Sequence, residues 1–71
     1  MGYIIAVFRS RTETLNFASY LRSYNVKCIV INTPRSINAS CGISVKFPSA
    51  ELPIAKNIMA RRSFSTFAGF Y

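Results

Sequence analysis

Seventy-one residues make one domain, 1–71, with room for a single core, and 51% hydrophobic against 15% charged residues exclude a disordered tail. The absence of histidine removes Ser-His-Asp and Cys-His catalysis, Cys28 and Cys41 are too few for a disulfide framework or a structural zinc site, and Glu13 and Glu51 are the only carboxylates for acid–base work. A formal charge of +7, spread along the chain with no basic tail, suggests an anionic partner such as nucleic acid, an acidic protein or an anionic metabolite, the other reading being that much of it serves solubility.

Tyr3–Phe8 is unbroken apolar sequence rich in β-formers and predicts a strand with at least one covered face. It is the longest such run and falls far short of the ~20 residues that cross a bilayer. Arg9 and Arg11 follow it, whereas a signal peptide carries its basic residues in front. The expectation is therefore a cytoplasmic protein with reduced thiols and no membrane partner.

Ser10 followed by Glu13 has the form of a capping box, in which hydroxyl and carboxylate each satisfy a backbone N–H at a helix start. At 100° per residue, Thr14, Phe17, Ala18, Leu21 and Tyr24 then share one side, with Asn16, Ser19 and Ser23 opposite. Asn25 tolerates the left-handed conformation and is the expected stop. Residues 26–31 predict a second strand. Residues 43–47 predict a third, with Ile43, Val45 and Phe47 toward the core and Ser44 and Lys46 outward. Pro48 and Ser49 end it. A second helix follows with Pro53 in its first turn and Ile54, Ala55, Ile58 and Met59 on its apolar side. Residues 64–70 predict a last strand, weakened by Gly69.

The order β-α-β-β-α-β packs most simply as an α+β ferredoxin-like two-layer sandwich, a four-stranded antiparallel sheet with two helices on one face. The other face is left for solvent, a second copy of the chain or a ligand.

Ten residues, 32–41, join the second and third strands, where hairpin loops usually take two to five. Long connections of this kind present functional groups from a rigid scaffold. Thr33 and Pro34 have the form of an N-cap and first helical residue and Gly42 that of a stop, so a short helical turn is expected. Cys41 ends the segment between Ser40 and Gly42, six residues after Arg35. A nearby guanidinium or converging N–H groups would favour its thiolate, and Gly42 would let a reactant approach. If Cys41 closes a helical turn, the local dipole opposes that charge and Arg35 must compensate. The other reading of both cysteines is a small buried side chain, and Cys28, within the apolar second strand, is expected to be inert.

Thr33-Pro34-Arg35 followed by Ser40-Cys41-Gly42, together with the opening Tyr-Ile-Ile strand, the stretch 21–26 and the final aromatics, resembles the Putative Se/S carrier protein-like family over nearly the whole chain. The resemblance implies that Cys41 holds sulfur or selenium as a persulfide or selenopersulfide and exchanges it with a donor or acceptor protein, without independent turnover and without a cofactor. Arg35 would stabilise the thiolate, Ser40 would donate a hydrogen bond, and Thr33 and Pro34 would support the loop. Where the family more often has hydroxyl residues, this chain has Asn38 and Ala39. Cys41 is followed by Gly42, so the mechanism of Cys-Pro-x-Pro sulfur-transfer proteins does not carry over. Two other readings use the open sheet face. One is RNA binding, prompted by charge and ten aromatics, although the third strand offers only Phe47. The other is a protein-interaction domain that forms a homodimer through this face or the last strand, with Phe67, Phe70 and Tyr71 as contacts.

Overall fold

In the computed structural model, which describes residues 2–37 and 41–71, the elements run β1 (Tyr3–Phe8), α1 (Arg11–Ser23), β2 (Ile29–Asn32), β3 (Ile43–Pro48), a short 3-10 turn (Ser49–Glu51), α2 (Leu52–Arg61) and β4 (Phe67–Phe70). The sheet order is β2-β3-β1-β4 with every neighbouring pair antiparallel. This is the ferredoxin-like arrangement.

Register decides what each face carries. Ile4 opposes Phe47 and Ala6 opposes Val45, while Val30, Phe67 and Phe70 continue the same side through β2 and β4. Side chains alternate along a strand, so these residues form one surface. Both helices pack on it, burying Phe17, Ala18 and Leu21 from α1 and Ala55 and Ile58 from α2 against Phe8, Val45 and Phe47. Aromatic rings dominate this core. Phe8 lies 5.2 Å from Phe17, 5.3 Å from Phe64 and 5.2 Å from Phe67, in the tilted geometries that ring quadrupoles favour. Phe47, Phe67 and Phe70 thus face the helices. That removes the third-strand aromatic on which RNA stacking would depend, and of the three expected dimer contacts only Tyr71 is well exposed.

The ends of α1 show where local sequence and tertiary structure part. Ser10 Oγ accepts from Glu13 N at 3.2 Å, which is half of the expected capping box. The Glu13 carboxylate does not return to Ser10. It accepts from the backbone and side chain of Ser65 at 3.2 and 3.1 Å and from those of Thr66 at 3.0 and 2.6 Å, while Ser10 N donates to Thr66 Oγ1 at 3.2 Å. Four donors from the lead-in to β4 outbid one local N–H. At the other end Asn25 has φ 62°. Val26 N donates to Leu21 O and Asn25 N to Arg22 O, each at 3.0 Å, the two bonds of a Schellman motif.

That motif explains a correction to the second strand. Val26 spends its N–H on the helix end and buries its side chain beside Leu21, so β2 begins at Ile29 and is four residues long. Tyr24 is the C-cap and is exposed, not part of the buried stripe. The last strand is also shorter than expected. Residues 64–66 turn toward Glu13, and the β1–β4 pairing shifts register between Val7 and Phe8, leaving β4 as residues 67–70.

On the face away from the helices, Ser44 was expected to meet solvent. It is fully buried, and its hydroxyl bonds to Thr33 Oγ1. Val7, the opposite neighbour of Ser44, is buried too, whereas Tyr3 and Ile29 at the other end of this face are exposed. Among the described residues no helix is long and apolar enough to cross a membrane.

Candidate functional site

Cys41 stands where the long connection returns to the sheet. Its N–H donates to Phe8 O, the last residue of β1, at 3.2 Å, and its half-buried side chain points toward the first turn of α1. There Cys41 Sγ lies 3.7 Å from Thr14 Oγ1 and also 3.7 Å from Ile43 O, within the longer reach of sulfur hydrogen bonds. Thr14 is fully buried, and its hydroxyl donates to Ser10 O at 2.9 Å.

One hydroxyl proton and one thiol proton serve these contacts. With Thr14 donating to Ser10 O, the thiol donates either to Ile43 O or to Thr14 Oγ1. With the sulfur ionised, Thr14 can rotate its proton onto it. Ser10 O is not stranded by that rotation, because Thr14 N also donates to it at 3.0 Å. The sulfur also adjoins the amino-terminal turn of a helix, the end at which negative charge is favoured.

Thr33 N donates to Gly42 O at 2.9 Å, closing the base of the connection. Gly42 has φ 104°, a conformation that side chains resist, and an added Cβ would meet nothing within 4 Å. The glycine is required by backbone geometry, and among the described residues nothing beyond its chain neighbours stands where its side chain would be. Pro34 O accepts from Ile37 N at 3.0 Å, so the connection opens with a β-turn, and no helical turn occurs there among the described residues. The dipole expected to oppose a Cys41 thiolate is therefore not found among the described residues. Arg35 is exposed in this turn, and no hydrogen bond joins it to Cys41 among the described residues. Ser40, with Asn38 and Ala39, lies outside the described residues.

A family model described as Putative Se/S carrier protein-like matches residues 3–70. The chain belongs to that family. No curated protein and no solved structure matches it.

In this member of the Se/S carrier-like family the cysteines have different surroundings. Cys28 precedes β2 and donates to Ala18 O at 3.6 Å, and burial pushes its thiol up, with the Arg22 charge opposing. That is the setting of an unreactive thiol. Glu13 is also occupied: the hydroxyl and then the N–H of Thr66, with help from Ser65, hold its carboxyl below the ordinary value despite partial desolvation. Among the described residues no group of three or more His, Cys, Asp or Glu is placed to hold a metal.

Thr14 is buried in the α1 stripe, as its spacing predicts, and the contact of its hydroxyl with Cys41 is what spacing alone does not show. The available signal was a hydroxyl at the head of a stripe otherwise built from Phe17, Ala18 and Leu21.

Proposed function

We propose that Cys41 accepts a sulfur or selenium atom from a donor protein and passes it to an acceptor, as the family's description suggests. The Cys41 thiolate attacks the terminal sulfur of a donor persulfide. A bond forms between Cys41 Sγ and that sulfur as the donor's own sulfur–sulfur bond breaks, and the electron pair leaves on the donor thiolate. The exchange is redox-neutral, and its reverse on an acceptor thiolate unloads the protein. Selenium follows the same path as a selenopersulfide. The acceptor and donor supply the remaining machinery, so the step depends on partners in a reducing compartment.

The contact between Cys41 Sγ and the buried Thr14 hydroxyl carries this reading, because it gives the thiolate a donor that costs no other acceptor its bond. The missing side chain at Gly42 would leave room for the donor's sulfur. In this reading Ser40 supplies a second hydrogen bond, the exposed Arg35 meets the anionic terminal sulfur of the loaded protein, and Thr33 and Pro34 hold the base and turn of the connection.

The test is to incubate the protein with a cysteine desulfurase and cysteine and to map the adduct by peptide mass spectrometry. The expected result is one added sulfur on the Cys41 peptide, removed by a thiol reductant. Absence of added sulfur, or equal labelling after Cys41→Ser, rejects the proposal.

A further inference from the structure

At the end of the sheet remote from Cys41, where β1 begins, the chain forms an open groove of about 660 Å³. Tyr3 and Phe8 lie at opposite ends of β1, so at ~3.3 Å per residue the groove and the thiol are roughly 17 Å apart. Two structural choices create it. The Schellman turn after α1 carries Asn25, Val26 and Lys27 past the sheet edge, and β2 starts late, at Ile29.

The lining combines two chemistries. Val26 and Phe47 are buried and form apolar floor, while Tyr3 and Ile29, 63% and 56% exposed, form apolar wall that meets solvent. Three cationic residues, Arg22, Lys27 and Lys46, are among those that line the groove. Lys46 Nζ sits 4.6 Å from the centroid of the Tyr3 ring, which keeps the ammonium at the wall. No carboxylate lines the groove, and the chain has only two: Glu13 is committed to Ser65 and Thr66, and Glu51 lies elsewhere. Arg22 has a local reason to be where it is, in the last turn of a helix. Lys46 is held over the Tyr3 ring and Lys27 is exposed, and neither carboxylate of the chain lines this corner, so an anion from outside would meet unopposed positive charge.

We propose that the groove binds a phosphate monoester with a flat or apolar body, of about the size of a nucleoside monophosphate. The volume is that of a small-molecule site, and a surface for a long acidic segment would not need the buried apolar floor of Val26 and Phe47. A phosphate monoester carries roughly −1.5 to −2 charge and three strong acceptor oxygens, which matches three cations better than a single carboxylate does. The assignment is independent of the chemistry at Cys41.

The experiment is a nitrogen-15 NMR titration of the full chain at low salt with adenosine 5′-monophosphate, and with adenosine and inorganic phosphate as comparators. Saturable shifts are expected for the amides of Tyr3, Lys27, Cys28, Ile29 and Lys46, with each comparator binding at least about tenfold more weakly. Lys27→Gln and Lys46→Gln are each expected to weaken the nucleotide by about three- to tenfold, while Lys56→Gln on the exposed side of α2 leaves it unchanged. The dispersion of each variant's spectrum reports that it is folded. Cys41→Ser is expected to bind as the parent does, so failure of sulfur loading and failure of this proposal are separable. Shifts that do not saturate, shifts spread equally over Arg61 and Arg62, phosphate binding as tightly as the nucleotide, or an acidic peptide moving these amides where the nucleotide does not, would each overturn it.

Discussion

Replacing Thr14 by valine keeps the volume of a buried side chain and deletes one hydroxyl. Two interactions go with it, the 2.9 Å bond to Ser10 O and the 3.7 Å contact with Cys41 Sγ. The first is nearly redundant, since Thr14 N still donates to Ser10 O, so the stability cost is expected near the ordinary ~1 kcal/mol of one side-chain hydrogen bond. For a domain of this size that lowers Tm by roughly 4–8 °C. The second is strongest when the sulfur is charged, because an ionised acceptor strengthens a hydrogen bond. A hydrogen bond to a charged group contributes about 1.5–3 kcal/mol, and the long sulfur contact places this one at the low end or below, near ~1 kcal/mol. About 1 kcal/mol of thiolate stabilisation corresponds to roughly fivefold, and because a less stabilised thiolate is also the better nucleophile, Thr14→Val is expected to slow alkylation of Cys41 by iodoacetamide about two- to threefold at neutral pH. Thr14→Ser restores the hydroxyl and is expected to restore most of the rate. The assay is a pseudo-first-order alkylation followed by peptide mass spectrometry, with Cys28 in the same molecule as internal standard. Equal rates for the parent, the valine and the serine variants would refute the reasoning and leave Thr14 as packing alone.

Acid stability isolates Glu13. Its folded value is depressed, so its contribution is complete above the unfolded value near 4.5 and is lost as pH falls through the lower folded value. Tm measured against pH is expected to decline below about pH 4.5, and Glu13→Gln is expected to lower the neutral plateau and to flatten that decline. Phe17→Ala, which removes a fully buried ring in contact with Phe8, Phe47, Phe64 and Phe70, is expected to cost about 3–5 kcal/mol in urea denaturation. At Asn25 the left-handed backbone discriminates between substitutions: Asn25→Ala is expected to destabilise by about 1 kcal/mol and Asn25→Gly to be neutral or stabilising in the same experiment.

Local rules carried the fold a long way. The apolar run of β1, the stripe of α1 and the alternation of β3 each depend on neighbours in sequence, and each element lies where its pattern puts it. The departures come from partners distant in sequence. Glu13 abandons its expected cap for Ser65 and Thr66, more than fifty residues away. Ser44 is buried because Thr33 bonds across the hairpin, and residues 26–28 leave the strand because the helix end uses them. The candidate site divides in the same way. Cys41, Gly42 and Thr33 were legible as punctuation of an overlong connection, whereas Thr14 joins them only because β1 delivers α1 beside the returning chain.

The bond from Thr33 N to Gly42 O sits immediately beyond the Asn32–Ile43 pair, the last rung of the β2–β3 ladder. Two successive links thus fasten the hairpin at its mouth. A substitution at Pro34 or Arg35 is therefore expected to change what the thiol meets without shifting the pairing of Asn32 with Ile43.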